Sequence, residues 1–219
     1  MTTLTSPPST AAPARTPRAL VGVLVAVMAL ALLVAGGAIA VVSGIGSSRP
    51  PAENSVDAGF ARDMATHHTQ AVQMAQRVRD HGSDPTIRLL AYDIETGQLG
   101  QIGQMRGWLQ TWGLTPQSSL AQMSWMGAEH AHDGLMPGMA TTAELDRLRS
   151  LTGRPLDVYF LQLMIRHHRG GLEMAQYGAA HASQPYVRDL ANKIVLAQQA
   201  EVVTMEQLLR ERGGTPLGS

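Results

Sequence analysis

Apolar residues recur along the chain at spacings of three and four residues, the period of an α-helix with one buried face. The first long stripe is Phe60, Met64, His67, Ala71, Met74, Val78 and His81. Asp84-Pro85 follows and predicts a new helix, because Asp is a good N-cap and Pro fits the first helical position. A further stripe carries Leu90, Ile94, Met105 and Trp108. The pattern therefore predicts a helical hairpin rather than strands.

The same pattern returns at an offset of 100 residues without a gap. The second stripe is Phe160, Met164, His167, Gly171, Met174, Gly178 and His181, and the next helix carries Leu190, Ile194, Val202, Met205 and Leu209. Polar and sulfur-bearing residues recur as well as apolar ones, which indicates a duplicated site and not only a duplicated fold. Two hairpins related in this way predict an all-α fold, a four-helix bundle with approximate internal two-fold symmetry.

The N-terminal region predicts export. Residues 1–18 have the composition of a disordered segment, and residues 19–42 are 24 uncharged, mostly apolar residues, where about 20 suffice to cross a bilayer. Arg15 and Arg18 precede the apolar stretch, so the N-terminus is expected in the cytoplasm and the bundle outside it, on a single-pass anchor. A cleavable signal peptide is the alternative, since Ala38-Ile39-Ala40 resembles a cleavage site. Residues 43–52 are then a linker, 53–212 the bundle domain and 213–219 a flexible tail.

The composition limits the kinds of binding site that the chain can form. The chain has no cysteine, which excludes disulfides and thiolate ligands, and its formal net charge of zero provides no basic field for nucleic acid. It has 12 methionines and 8 histidines. Imidazole and thioether together suit soft or borderline transition metals, and copper above all.

The duplicated histidine pairs are the main candidate site. Each pair has a methionine three residues before its first histidine and another seven residues after it, on the same helical face. The predicted metal ligands are Met64, His67, His68, Met74, Met164, His167, His168 and Met174. Taken singly, each is typical of a buried core side chain, but burying several imidazoles without partners is costly, so duplication favours a ligand role. His81 and His181, at helix C-termini, are weaker candidates.

The segment between the hairpins is a second candidate. His130, His132, Met136 and Met139 are its proposed ligands, together with the earlier methionines Met123 and Met126. The alternative is a hydrophobic segment that covers the bundle. Thr141 and Glu144 predict a capping box that opens a short helix.

Three motifs together resemble the domain-of-unknown-function 305 family: Met64-Ala-Thr-His-His-Thr-Gln-Ala-Val-Gln-Met-Ala75, Leu135-Met-Pro-Gly-Met139, and the segment from Phe160 to Ala175 around His167-His168. The resemblance covers about residues 57–209. It implies a ferritin-like four-helix bundle, frequent export and, in some members, copper binding and tolerance. Position 166 is Arg where the family pattern leads us to expect Pro, which predicts regular helix before the second pair.

These observations predict an extracytoplasmic protein that binds Cu(I) or Cu(II) for sequestration, tolerance or delivery, without catalysis. A di-iron or di-manganese oxidase is an alternative, but it needs Glu-x-x-His on the bundle helices, and Glu129 to His132, between the hairpins, is the one instance in the chain. A metal-free structural or partner-binding bundle is another. Leftover apolar helix faces would also allow a homodimer.

Overall fold

Helices account for the regular structure of the described residues. The structure, a computed structural model, describes residues 28, 32, 50–131 and 134–218. Five α-helices have described bounds: α1 Val56–His81, α2 Pro85–Thr111, α3 Thr142–Ser150, α4 Gly153–His181 and α5 Pro185–Glu211. Two short 3₁₀ turns, Ser124–Met126 and Ala128–His130, lie in the connecting segment. The described part of the chain has no strand, as the sequence predicts.

Helix starts follow the local sequence. The Asp84 carboxylate accepts hydrogen bonds from the backbone N–H groups of Thr86 and Ile87, so it caps α2 as predicted. The capping box of Thr141 and Glu144 opens α3, also as predicted. Such caps satisfy amide groups that the first helical turn leaves without partners.

Two buried aspartates join the hairpins in a reciprocal way. Asp57, near the start of α1, accepts hydrogen bonds from the backbone of Ser183 and Gln184, just before α5. Asp157, near the start of α4, accepts the equivalent bonds from Ser83 and Asp84, just before α2. The start of each of these two helices therefore lies beside the end of the other, so α1 and α4 are antiparallel.

The long helices pack in a definite order. α1 packs against α2, α4 packs against α5, and α1 packs against α4. α1 and α4 are thus the inner pair, and α2 and α5 face each other across a narrow cleft. This order places the histidine-bearing helices at the centre of the molecule.

The predicted anchor lies almost wholly outside the described residues. Of residues 19–42 the structure describes Met28 and Leu32 alone. Within the described ranges, no helix combines the length and apolarity needed to cross a bilayer. The chain divides into two units, Met1–Arg49 and Pro50–Ser219, and the second contains the five helices.

Candidate metal centre

The inner helices cross at the paired histidines. The rings of His67 and His167 lie 3.8 Å apart, centroid to centroid, with their planes tilted by 38°. Gly171 makes room for this contact, since a Cβ at that position would lie 3.0 Å from Cε1 of His67. His68 and His168 flank the crossing, and all four side chains are completely buried. We call His67, His68, His167 and His168 the histidine quartet.

Each imidazole of the quartet is held through its Nε2 atom. His67 Nε2 donates to the carbonyl of Pro137 at 3.1 Å, and His167 Nε2 donates to the carbonyl of His67 at 3.1 Å. The outer rings contact side chains: His68 Nε2 lies 2.7 Å from Oε1 of Gln101, and His168 Nε2 lies 2.6 Å from Oε2 of Glu201. A carbonyl oxygen only accepts, so the inner rings carry their hydrogen on Nε2.

Burial favours the neutral form of His67, His68 and His167. It lowers the pKa of His67 to about 4 and that of His68 to about 3, because a charged ring would lose its hydration. The pKa of His167 falls well below its ordinary value for the same reason, and the neighbouring histidines lower it further. Neutral imidazole is the form that binds metal ions.

The four Nδ1 atoms are the notable feature of the quartet. With hydrogen on Nε2, each Nδ1 carries a lone pair, and among the described residues none of the four has a hydrogen-bond partner. Leaving a buried polar atom unpaired costs on the order of 1–3 kcal/mol. The molecule therefore keeps four buried nitrogen lone pairs available for a ligand.

The predicted methionine ligands are fully buried and lie in two separate clusters. Met74 and Met164 belong to one hydrophobic cluster, and Met64 and Met174 to another. The antiparallel crossing explains this division. Met164 precedes the second histidine pair and shares a cluster with Met74, which follows the first pair. In the described part of the chain, no three His, Asp or Glu side chains converge with the spacing of a metal site. The quartet alone is thus not a closed coordination shell, and thioether sulfur is the other donor that the neighbouring core supplies.

The family model that matches this chain covers residues 57–209, from α1 to the end of α5, and is described as a domain of unknown function, DUF305. The chain belongs to the DUF305 family.

Solved DUF305 structures share this fold. One, described as a secreted protein from Streptomyces coelicolor, is 45% identical, with a TM-score of 0.72 over 77% of this chain and 100% of its own. A fragment from Deinococcus radiodurans is 34% identical, with a TM-score of 0.61 over 74% of this chain and 99% of its own. CopM in its Cu(I)-bound form is 26% identical, with a TM-score of 0.57 over 72% of this chain and 98% of its own. No curated protein is significantly similar to the chain.

The connecting segment of this DUF305 protein covers the bundle. Met123, Met126 and Met136 are buried in the same cluster as Met64 and Met174, and Met139 packs against it half-buried. The side chain of His130 is partly exposed, with Nδ1 3.7 Å from a carboxylate oxygen of Glu173. His132 lies outside the described residues. His81 and His181 are exposed, and the rings of His181 and Tyr177 lie 4.3 Å apart, centroid to centroid, with their planes tilted by 42°.

Arg166 occupies the position where the family pattern predicts Pro, and α4 continues through it as regular helix, as expected. Its guanidinium forms a two-pronged ion pair with Glu144, at 2.8 and 2.7 Å. This pair lowers the pKa of Glu144 to about 2. Arg166 thereby ties the connecting segment to α4 directly before the second histidine pair.

The sequence analysis did not identify the side chains that hold the outer rings. Gln101 and Glu201 contact His68 and His168, and Gln98 and Gln198 lie buried beside them with neither amide atom paired to a described residue. A signal was available, because both pairs obey the offset of 100 residues. Polar residues at equivalent positions of the two outer helices indicate contacts with the duplicated histidines.

Proposed function

We propose that this DUF305 protein binds copper outside the cytoplasm, through imidazole nitrogen of the histidine quartet and thioether sulfur of Met64, Met74, Met164 and Met174. The observation that carries the proposal is the set of four buried, unpartnered Nδ1 atoms. A fold that needed the histidines only for packing gains nothing from leaving these atoms without partners, because their desolvation is uncompensated.

The donor set favours copper over harder metals. Imidazole suits copper, zinc, iron and nickel, whereas thioether favours Cu(I). Iron and manganese oxidases on helical bundles use several carboxylates. Here Glu201 is the one described carboxylate that hydrogen-bonds to the quartet, and it contacts His168 through Nε2 rather than Nδ1.

The comparisons support both parts of the proposal. CopM has been solved in Cu(I)-bound and Cu(II)-bound forms, which are 26% and 25% identical to this chain. The Streptomyces coelicolor relative is described as secreted. We extend the proposal to the N-terminal region: residues 19–42 anchor the protein in the membrane, residues 43–52 form a linker, and the bundle acts in sequestration, tolerance or delivery.

Equilibrium metal binding tests the proposal. The full-length protein, purified in a mild detergent and stripped of metal, is exposed separately to Cu(I), Cu(II), Zn(II) and Fe(II) with competing chelators. Two double variants, His67→Gln with His68→Gln and His167→Gln with His168→Gln, remove the imidazoles but keep a side-chain N–H donor. His81→Gln with His181→Gln is the matched control, since this pair is also repeated but exposed.

We expect tight copper retention that either quartet double variant weakens and the control preserves. Retention of iron with oxygen consumption would instead indicate an oxidase. A protein that retains no metal would refute the ligand role and leave the quartet as a feature of bundle architecture. Thermal unfolding of each metal-free variant shows whether lost binding reflects lost folding.

A further inference from the structure

The histidine quartet is completely buried, so a metal ion needs a route to it. The cleft between α2 and α5 is a cavity of about 90 Å³ that is lined by residues of these two helices alone. Its lining is contributed equally by the two repeats, in pairs that are 100 residues apart. These pairs are Ile94 and Ile194, Gly97 and Ala197, Gln98 and Gln198, and Gln101 and Glu201.

The cleft reaches the quartet through its own lining residues. Gln101 and Glu201 accept the hydrogen bonds of His68 and His168. Gln198 approaches the inner pair, because its Oε1 and Cε1 of His67 lie 3.2 and 3.0 Å from the point that a Cβ on Gly171 would occupy. Residues that line the cleft therefore contact or adjoin three of the four imidazoles.

Two of the lining side chains lack partners. Gln98 is 5% exposed and Gln198 is 2% exposed, and the amide oxygen and nitrogen of both are unpaired among the described residues. A buried primary amide is costly without hydrogen bonds, so its oxygen is an available acceptor for water or a cation. Glu201 adds a carboxylate whose side chain is 26% exposed.

A second cavity lies near the quartet, but protein backbone separates it from the imidazoles. It measures about 260 Å³ and is lined by Pro137, Gly138, Arg166, Arg169, Gly170 and Leu217. Its charged lining residues are both arginines. Between it and His67 lies the turn at Pro137, whose backbone packs so closely on Gly170 that a Cβ there would be 2.2 Å from the Pro137 oxygen. Arg166 is paired with Glu144 and Arg169 with Glu206, so backbone rather than charge closes this side to a cation.

We propose that the α2–α5 cleft is the entry route by which a copper ion reaches the quartet, with Glu201 attracting the ion and the amide oxygens of Gln98 and Gln198 replacing water along the way. A negative group in a narrow cleft raises the local concentration of cations. The route rests on the proposed copper-binding function, but it concerns the rate of loading rather than the ligands.

Two glycines on α2 give a matched test. Gly97 lines the cleft and Gly100 does not, and a Cβ at either position meets no atom within 4 Å. Gly97→Phe fills the cleft, whereas Gly100→Phe places the same side chain on the outer face of the same helix. Since all three tryptophans lie in the helical domain, stopped-flow quenching of their fluorescence by Cu(II) follows loading of the full-length protein.

We expect Gly97→Phe to slow loading by at least an order of magnitude with the same final quenching, and Gly100→Phe to load like the wild type. Gly97→Leu is the second variant, and melting curves without metal check that each variant folds. Wild-type loading rates in both cleft variants would overturn the route. A wild type that retains no copper at equilibrium would instead refute the proposed function, before any rate is compared.

The repeat itself supplies a second pair of variants. Glu201→Gln gives the second repeat the residue of the first, and Gln101→Glu does the reverse. At low salt we expect Glu201→Gln to load roughly three- to tenfold more slowly and Gln101→Glu to load faster. Both differences should shrink in high salt, because screening weakens the attraction. If neither Glu201→Gln nor Gln101→Glu changes the loading rate, the proposed role of Glu201 is wrong.

Discussion

Acid should destabilise the metal-free protein well above the pH at which its carboxylates titrate. In the unfolded chain each quartet histidine has a pKa near 6.5, whereas burial lowers the folded pKa of His67 to about 4 and of His68 to about 3. Between these values the unfolded chain binds more protons than the folded one. Stability is therefore fully present above pH 6.5 and is lost as the pH falls below it.

The size of the effect follows from proton linkage. Lowering the pH from 7.5 to 5.5 costs about 1.4 kcal/mol for each histidine that stays neutral in the fold. His67 and His68 together give about 3 kcal/mol, and His167, whose pKa burial also lowers, acts in the same direction. A domain with a total stability of 5–15 kcal/mol would lose a large part of it. Glu144, with a pKa of about 2, contributes only at lower pH.

Urea unfolding at pH 7.5, 6.5 and 5.5, with a chelator present, measures this loss. Tryptophan fluorescence is the signal, because Trp108, Trp112 and Trp125 all lie in the helical domain. The double variant His67→Gln with His68→Gln should lose about 3 kcal/mol less than the wild type over the same range. Phe60→Ala is the control, since it should lower stability equally at every pH. A wild-type free energy of unfolding that stays constant from pH 7.5 to 5.5 would refute the burial of neutral imidazoles.

Four substitutions test the packing by urea unfolding at pH 7.5. Phe60→Ala empties a fully buried site and should cost about 3–5 kcal/mol; a loss below 1 kcal/mol would mean that the ring is not a core residue. Gly170→Ala should cost about 1–3 kcal/mol, because its Cβ would lie 2.2 Å from the Pro137 oxygen, whereas Gly103→Ala should gain up to about 1 kcal/mol in open space. Equal effects of these two substitutions would contradict the close approach at Gly170. Asp57→Ala removes three hydrogen bonds to the turn before α5 and should cost about 3 kcal/mol.

Sequence periodicity was sufficient for the helices and for the inner histidines. The spacing of three and four residues placed His67 and His167 on buried stripes, and the Asp84 cap and the box at Thr141 marked helix starts that the structure confirms. Local patterns of this kind are decided within one helix, so the sequence carries them directly.

Sequence periodicity could not predict the contacts between helices. The partners of His68 and His168 depend on how α2 and α5 are rotated about their axes, which no spacing within α1 or α4 reveals. Whether the methionines meet at one point or lie in two clusters depends on the direction in which α1 and α4 cross. The metal ligand set stays a prediction, and the predicted membrane segment falls outside the described residues apart from Met28 and Leu32.

The reciprocal hydrogen bonds of Asp57 and Asp157 between the hairpins have a consequence for the evolutionary origin of the chain. Asp57 accepts hydrogen bonds from the turn before α5 and Asp157 accepts them from the turn before α2, so neither half of the chain supplies the carboxylate that its own interhelical turn uses. A polypeptide of half this length would find the missing carboxylate only on another copy of itself, in a closed two-fold pair. Fusion of two such copies would preserve every contact and free each half to diverge, as Gln101 and Glu201 have done. Residues 50–131 produced alone should accordingly fold as a dimer or not at all.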